Sequence, residues 1–198
     1  MNINDIILSI IKNLEGLNVN RHYNERYLHH MFSHLIQEED PISFDSSYGL
    51  HPEWATVIKG VRPGGWYKRI DDDYWPVNYD ASAGFIDFAY GNAENPEYAI
   101  EFKMDKKLNR EGVTFDYMKL LDGRNHFQKA ISLVVYYGHK RHSTNCEALK
   151  LDECLATAQE RLGSDFCNRP HEFHVVEIID KKIVRHLVSS NDLHFDNK

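Results

Sequence analysis

A chain of 198 residues with 42% hydrophobic and 12% aromatic content is long enough for one domain with a sizeable core, spanning 1–198, and its composition fits an ordered globular protein. The formal net charge of −7 counts against a protein that coats nucleic acid without specificity, because phosphate binding draws on Lys and Arg. No apolar run approaches the ~18–20 residues of a membrane span and no basic region precedes an apolar N-terminal stretch, so the expected location is the cytoplasm, without a membrane partner.

Asn4–Leu17 carries Ile6, Ile7, Ile10, Ile11, Leu14 and Leu17 at a helical period, and Gly16 and Asn18 suggest its end. A second helix is predicted from a cap at Asn24 to about Glu38. Its apolar stripe would use Tyr27, Leu28, Met31, Phe32, Leu35 and Ile36. Pro41–Ala83 is irregular, rich in Pro, Gly, Trp and Tyr. It predicts a long loop with one strand, around Trp66–Ile70 or Tyr74–Val77.

Phe85–Tyr90 and Tyr98–Met104 read as strands, with turn chemistry between them at Gly91, Asn92, Asn95 and Pro96. Pairing Tyr90 with Tyr98 sets Asp87 opposite Glu101. A helix is predicted over Phe115–Ala130, broken near Gly123, followed by a buried strand at Ile131–Tyr137. Thr144–Leu162 reads as a further helix. Glu172–Ile179 and Lys182–Val188 read as closing strands around Asp180-Lys181, and Asp192–Lys198 as a frayed tail. Cys146, Cys154 and Cys167 lack zinc or CxxC spacing and read as free thiols.

The chemistry concentrates in Gly84–Lys103. Asp87 lies inside one apolar run, and Glu101 and Lys103 share one face of the next. Charges inside buried strands are costly unless paired or bound to metal. Two converging carboxylates suit a hard cation such as Mg²⁺, which polarises a phosphate and lowers the pKa of water. A lysine two residues after the glutamate can stabilise developing negative charge. The bland account is a solvated hairpin face, but Phe85, Ala89 and Ala99 share those faces and make it too apolar for that.

An acid, thirteen residues, then Glu-x-Lys resembles the signature of the PD-(D/E)XK nuclease superfamily, although Ile86 stands where the name motif has proline. The order of elements from Asn24 to Tyr137 resembles its core as well. The resemblance implies an α/β fold: a central mixed β-sheet flanked by helices, restriction-endonuclease-like, with an extra N-terminal helix and C-terminal strands. It implies Asp87 and Glu101 as metal ligands, Lys103 as the catalytic lysine, and Mg²⁺ as cofactor with Mn²⁺ as a substitute. It also implies a glutamate from an N-terminal helix. Glu25 is the candidate, ahead of Glu38 and Glu39, although an acid in a first helical turn is favoured by the helix dipole anyway. Lys119 is a candidate phosphate contact, and taken alone it reads as a surface lysine. The expected function is a Mg²⁺-dependent nuclease acting on nucleic acid, DNA first, in defence or repair; a homodimer would suit a double-strand cut. The alternatives are a catalytically silent member that binds nucleic acid or protein, and an enzyme with zinc at a histidine pair: His30 with His34, His139 with His142, or His171 with His174.

Overall fold

The structure is a computed structural model and describes residues 2–17, 24–41, 47–59, 83–105, 110–138 and 151–191. Two helices come first. α1 (Ile3–Leu14) is capped by the Asn2 side chain, which accepts from the Asn4 N–H at 3.1 Å, and it buries Ile3, Ile6, Ile7, Ile10, Ile11 and Leu14 on one stripe. It stops at Leu14, short of the expected Leu17. Gly16 then takes φ 83° and donates its N–H to the Lys181 carbonyl at 2.8 Å. α2 (Glu25–Glu39) starts at the expected cap, where the Asn24 side chain accepts from the Arg26 N–H at 3.0 Å. Leu28, Phe32 and Ile36 are buried, while Tyr27, Met31 and Leu35 lie half-buried at the flanks of the stripe.

β1 (Tyr48–Lys59) is a strand that the sequence pattern did not predict. Gly49, Pro52 and a left-handed Glu53 (φ 52°) interrupt its periodicity. Pro52 is tolerated because β1 is an edge strand, paired on one side only to β2 (Ala83–Asn92). The strand expected within 66–77 lies outside the described residues.

β2 and β3 (Pro96–Asp105) form the expected hairpin, with Tyr90 opposite Tyr98. Both strands extend beyond the predicted ends, and a register shift falls between Tyr90 and Gly91. Gly91 has φ 116°, and a Cβ there would meet the Glu97 nitrogen at 2.8 Å, so the turn needs glycine.

α3 (Arg110–Leu121), β4 (Lys129–Gly138), α4 (Leu151–Leu162) and the hairpin β5 (His171–Ile179) with β6 (Lys182–Ser190) complete the domain. α3 corrects the expected Phe115–Ala130 helix, which starts too late and runs too far. It ends at Leu121 because distant groups hold the following turn. Arg169 donates to the carbonyls of Asp122, Asn125 and Phe127, and Gly123 donates its N–H to the Asp165 carbonyl. Of the expected Thr144–Leu162 helix, residues 151–162 are described and helical; the expected frayed tail lies outside the described residues.

The six strands form one mixed sheet in the order β1-β2-β3-β4-β5-β6. β3, β4 and β5 run parallel, and the outer pairings are antiparallel. The chain is therefore α/β with a central mixed sheet flanked by helices, the expected fold class. α1 and α2 pack with Ile100, Phe102, Met104, Leu133 and Val176 on one face. α3 and α4 pack with Ala99, Ala130, Val134, Phe173 and Val175 on the other. No helix among the described residues is long and apolar enough to cross a membrane.

Asp180 (φ 48°) and Lys181 (φ 68°) both adopt left-handed backbone in the two-residue β5–β6 turn, the geometry that favours Gly at its second position. Lys181→Gly is expected to raise stability by a few tenths to about 1 kcal/mol, read from denaturant midpoints at unchanged slope.

Candidate active site

Alternation along β3 sends Ile100, Phe102 and Met104 toward α2, and leaves Glu101 and Lys103 on the face that α3 covers. Beyond Phe88 opposite Ile100, the Asp87 carboxylate itself takes the Phe102 N–H at 2.6 Å, in place of a ladder carbonyl. A carboxylate is thereby fixed to the backbone where the two strands part. α2 delivers its first turn to the same spot. Glu25 and His29 are spaced i, i+4 and so share a helix face. The His29 ring lies edge-on to Phe88 at 5.2 Å and beside Phe102 at 5.7 Å, which aims its Nε2 at Asp87 Oδ2, 3.3 Å away.

One donor atom each from Glu25, His29 and Asp87 lies within 4.8 Å of the others. Among the described residues this is the group of three that could hold a metal ion. The His29 Nε2 is buried and faces Asp87 Oδ2 at 3.3 Å, so the deprotonated ring offers a nitrogen lone pair to such an ion. The donor set therefore fits a divalent cation.

Beneath this group lies a second layer of charge. Lys103 Nζ stands 2.9 Å from Asp116 Oδ2 and 3.7 Å from Glu25 Oε2, joining α3 to α2. Lys119 Nζ is ion-paired with Glu101, lies 3.1 Å from Asp116 Oδ1 and donates to the Phe85 carbonyl at 2.8 Å. The side chains of Glu101, Asp116 and Lys119 are 4%, 7% and 7% exposed, so these pairs are shielded from water, whereas Lys103 is 26% exposed at the rim.

The electrostatics follow from burial and neighbours. Burial pushes the Glu25 carboxyl up; Lys103 pulls it back, and Asp87 and Asp116 push it further up. Burial alone would lower His29, but the hydrogen bond and charge of Asp87, with Glu25, outweigh it and raise the imidazole above its usual value. Burial holds Glu101 well above the carboxylate range, Lys119 opposes it, and nearby Asp87 and Asp116 add to the rise. Burial works against both ammoniums, yet Asp116 with Glu25 raises Lys103, and Glu101 with Asp116 raises Lys119. Asp116 is held below the usual range despite burial, because Lys119 and Lys103 both face it.

Asp87, Glu25 and Lys103 thus come together at one place. Glu101 lies next to them but gives its charge to Lys119, outside the three-donor group. Lys119 corrects the expectation of a surface lysine reaching for phosphate, since its ammonium is buried and its three donors are spent within the protein. Glu38 and Glu39 are exposed at the far end of α2, ~20 Å from Glu25 at 1.5 Å per residue.

His29 was not predicted, and Asp116 stood out only as part of the Asp116-x-x-Lys119-Leu120 segment, which resembles segments of related nucleases where a polar helix residue faces the site. The i, i+4 spacing of Glu25 and His29 was a usable signal, masked by the more conspicuous His30 and His34, which are exposed; His34 pairs with Glu38 at 3.3 Å. His171 and His174 are buried, bonded to the Arg169 carbonyl and to His186 at 3.1 and 2.9 Å. His139 and His142 lie outside the described residues. Comparison with known proteins adds no relative: no family model, curated protein or solved structure matches this chain.

Proposed function

We propose that this protein is a divalent-metal-dependent nuclease that hydrolyses phosphodiester bonds, with DNA as the expected substrate. The observation that carries this reading is the convergence of Glu25, His29 and Asp87 within 4.8 Å, with the Lys103 ammonium at its rim. It agrees with the resemblance at Asp87, Glu25 and Lys103, and departs from it at Glu101, which the resemblance makes a metal ligand and which Lys119 neutralises instead.

Glu25, His29 and Asp87 would hold the ion. Mg²⁺ takes oxygen ligands, whereas an imidazole nitrogen suits a first-row ion, so Mn²⁺ is expected to support higher activity than Mg²⁺. When bound, the ion supplies Lewis-acid polarisation of the phosphate and a lowered water pKa. The chain supplies the rest. The Phe102 N–H fixes the Asp87 carboxylate, Phe88 and Phe102 fix the His29 ring, and the partly exposed Lys103 places a positive charge where a phosphate's developing charge would be met.

Incubating supercoiled DNA, linear DNA and RNA with protein and Mg²⁺ or Mn²⁺ tests the reading, with Asp87→Asn as the control. Metal-dependent cleavage that this variant loses supports it. The internal neutralisation of Glu101 by Lys119 favours a second reading, a catalytically silent member of the same fold, which predicts no cleavage of any substrate.

The raised pKa of His29 gives a pH dependence with a definite sign. A protonated imidazole cannot ligate, so Mn²⁺ affinity should rise as pH passes upward through the raised His29 value, then level off. The metal-free protein should behave oppositely. A group raised on folding contributes stability below its unfolded pKa, near 6.5, and loses it as pH rises through the folded value. Melting temperatures from pH 6 to 9, with and without Mn²⁺, should therefore diverge. His29→Gln should flatten both curves.

A further inference from the structure

The side chain that the nuclease reading leaves unused is Lys119. Its ammonium is surrounded by a carboxylate oxygen of Glu101, Asp116 Oδ1 at 3.1 Å and the Phe85 backbone carbonyl at 2.8 Å. Two carboxylates and a carbonyl are the oxygen set that a hard divalent cation takes from a protein. A buried ammonium fills that set here, with a side chain 7% exposed.

We propose that Lys119 is a built-in cation: it takes, between Glu101, Asp116 and the Phe85 carbonyl, the place of a second divalent ion, so that the chain binds one ion, at Glu25, His29 and Asp87. This rests on the proposed metal site and deepens it. Two-metal nucleases clamp the attacking and leaving oxygens symmetrically between ions about 3.5–4 Å apart. This chain would instead set one exchangeable ion beside a fixed positive charge. Lys119 is then a positioning residue. It ties α3 to Glu101 of β3 and does not touch substrate.

The test is Mn²⁺ binding to the full chain, counted by the loss of the free-ion resonance, in enough salt to screen weak sites on the acidic surface. The wild type should bind one Mn²⁺ tightly. Lys119→Met keeps the aliphatic stem, frees the three oxygens and should bind two; Lys119→Arg restores the charge and should return the count to one. Glu101→Gln should leave the affinity of the single wild-type ion within a few-fold, while Asp87→Asn should weaken it at least ~10–100-fold.

A wild type that binds two ions overturns the proposal and leaves the nuclease reading standing. A wild type that binds none overturns both. A folded Lys119→Met that still binds one, or a Glu101→Gln as damaging as Asp87→Asn, also overturns it. Should Lys119→Met fail to fold, the wild-type count and the Glu101→Gln affinity decide the question. Neither measurement depends on cleavage.

Discussion

Asp87→Asn should abolish Mn²⁺-dependent cleavage and the tight binding of Mn²⁺ while leaving the fold intact. Asp87 makes two kinds of contact, and the substitution separates them. Its carboxylate charge faces His29 Nε2 at 3.3 Å and completes the three-donor group with Glu25. Its Oδ2 also accepts the Phe102 N–H at 2.6 Å. An asparagine carbonyl can keep that second contact, so the loss is one of charge. Asp87→Ala would in addition strand the Phe102 N–H where the strands part, at a cost of about 1–3 kcal/mol. The Asn variant should therefore melt within a degree or two of the wild type without metal, and should lose the stabilisation that Mn²⁺ gives the wild type. An Asn variant that still cuts at wild-type rate would remove Asp87 from the chemistry.

Lys103→Met should lower cleavage by about 10²–10³-fold while Mn²⁺ binding survives, because the ammonium acts on the phosphate and not as a ligand. The surroundings make a second effect specific to this chain. Lys103 lies 3.7 Å from Glu25 and counteracts the burial that pushes the Glu25 carboxyl up. Without it, Glu25 should hold its proton to higher pH, and the pH profile of Mn²⁺ affinity should move in the alkaline direction. The fold should persist, because Asp116 keeps Lys119 as its other partner at 3.1 Å. A lysine that merely propped α3 would lower stability without moving the pH profile of metal binding. Single-turnover rates and Mn²⁺ titrations across pH therefore distinguish a lysine that acts on phosphate from a structural one.

Periodicity alone determined most of the frame. The isoleucines of α1 at i, i+3, i+4 and i+7, the Asn24 cap of α2, the pairing of Tyr90 with Tyr98 and the apolar run of β4 are local patterns that secondary structure imposes on sequence. The same alternation placed Glu101 and Lys103 on one face of β3; Asp87 was visible as an acid inside an apolar run, and Glu25 only through the resemblance to the nuclease superfamily. Local patterns could not carry the rest. β1 was invisible because an edge strand tolerates Gly49, Pro52 and Glu53, which erase its period. The end of α3 was misread because Arg169, more than forty residues later, supplies the hydrogen bonds that turn the chain after Leu121.

The same limit decided the partners in the site. Nothing in the spacing of Glu101 and Lys119 tells that a strand and a helix eighteen residues apart meet as a buried ion pair, or that Lys103 reaches across to both α2 and α3. A residue's type and face follow from its own segment. Which opposite charge neutralises it depends on how segments pack, because electrostatic partners are chosen by distance in space once water has been removed.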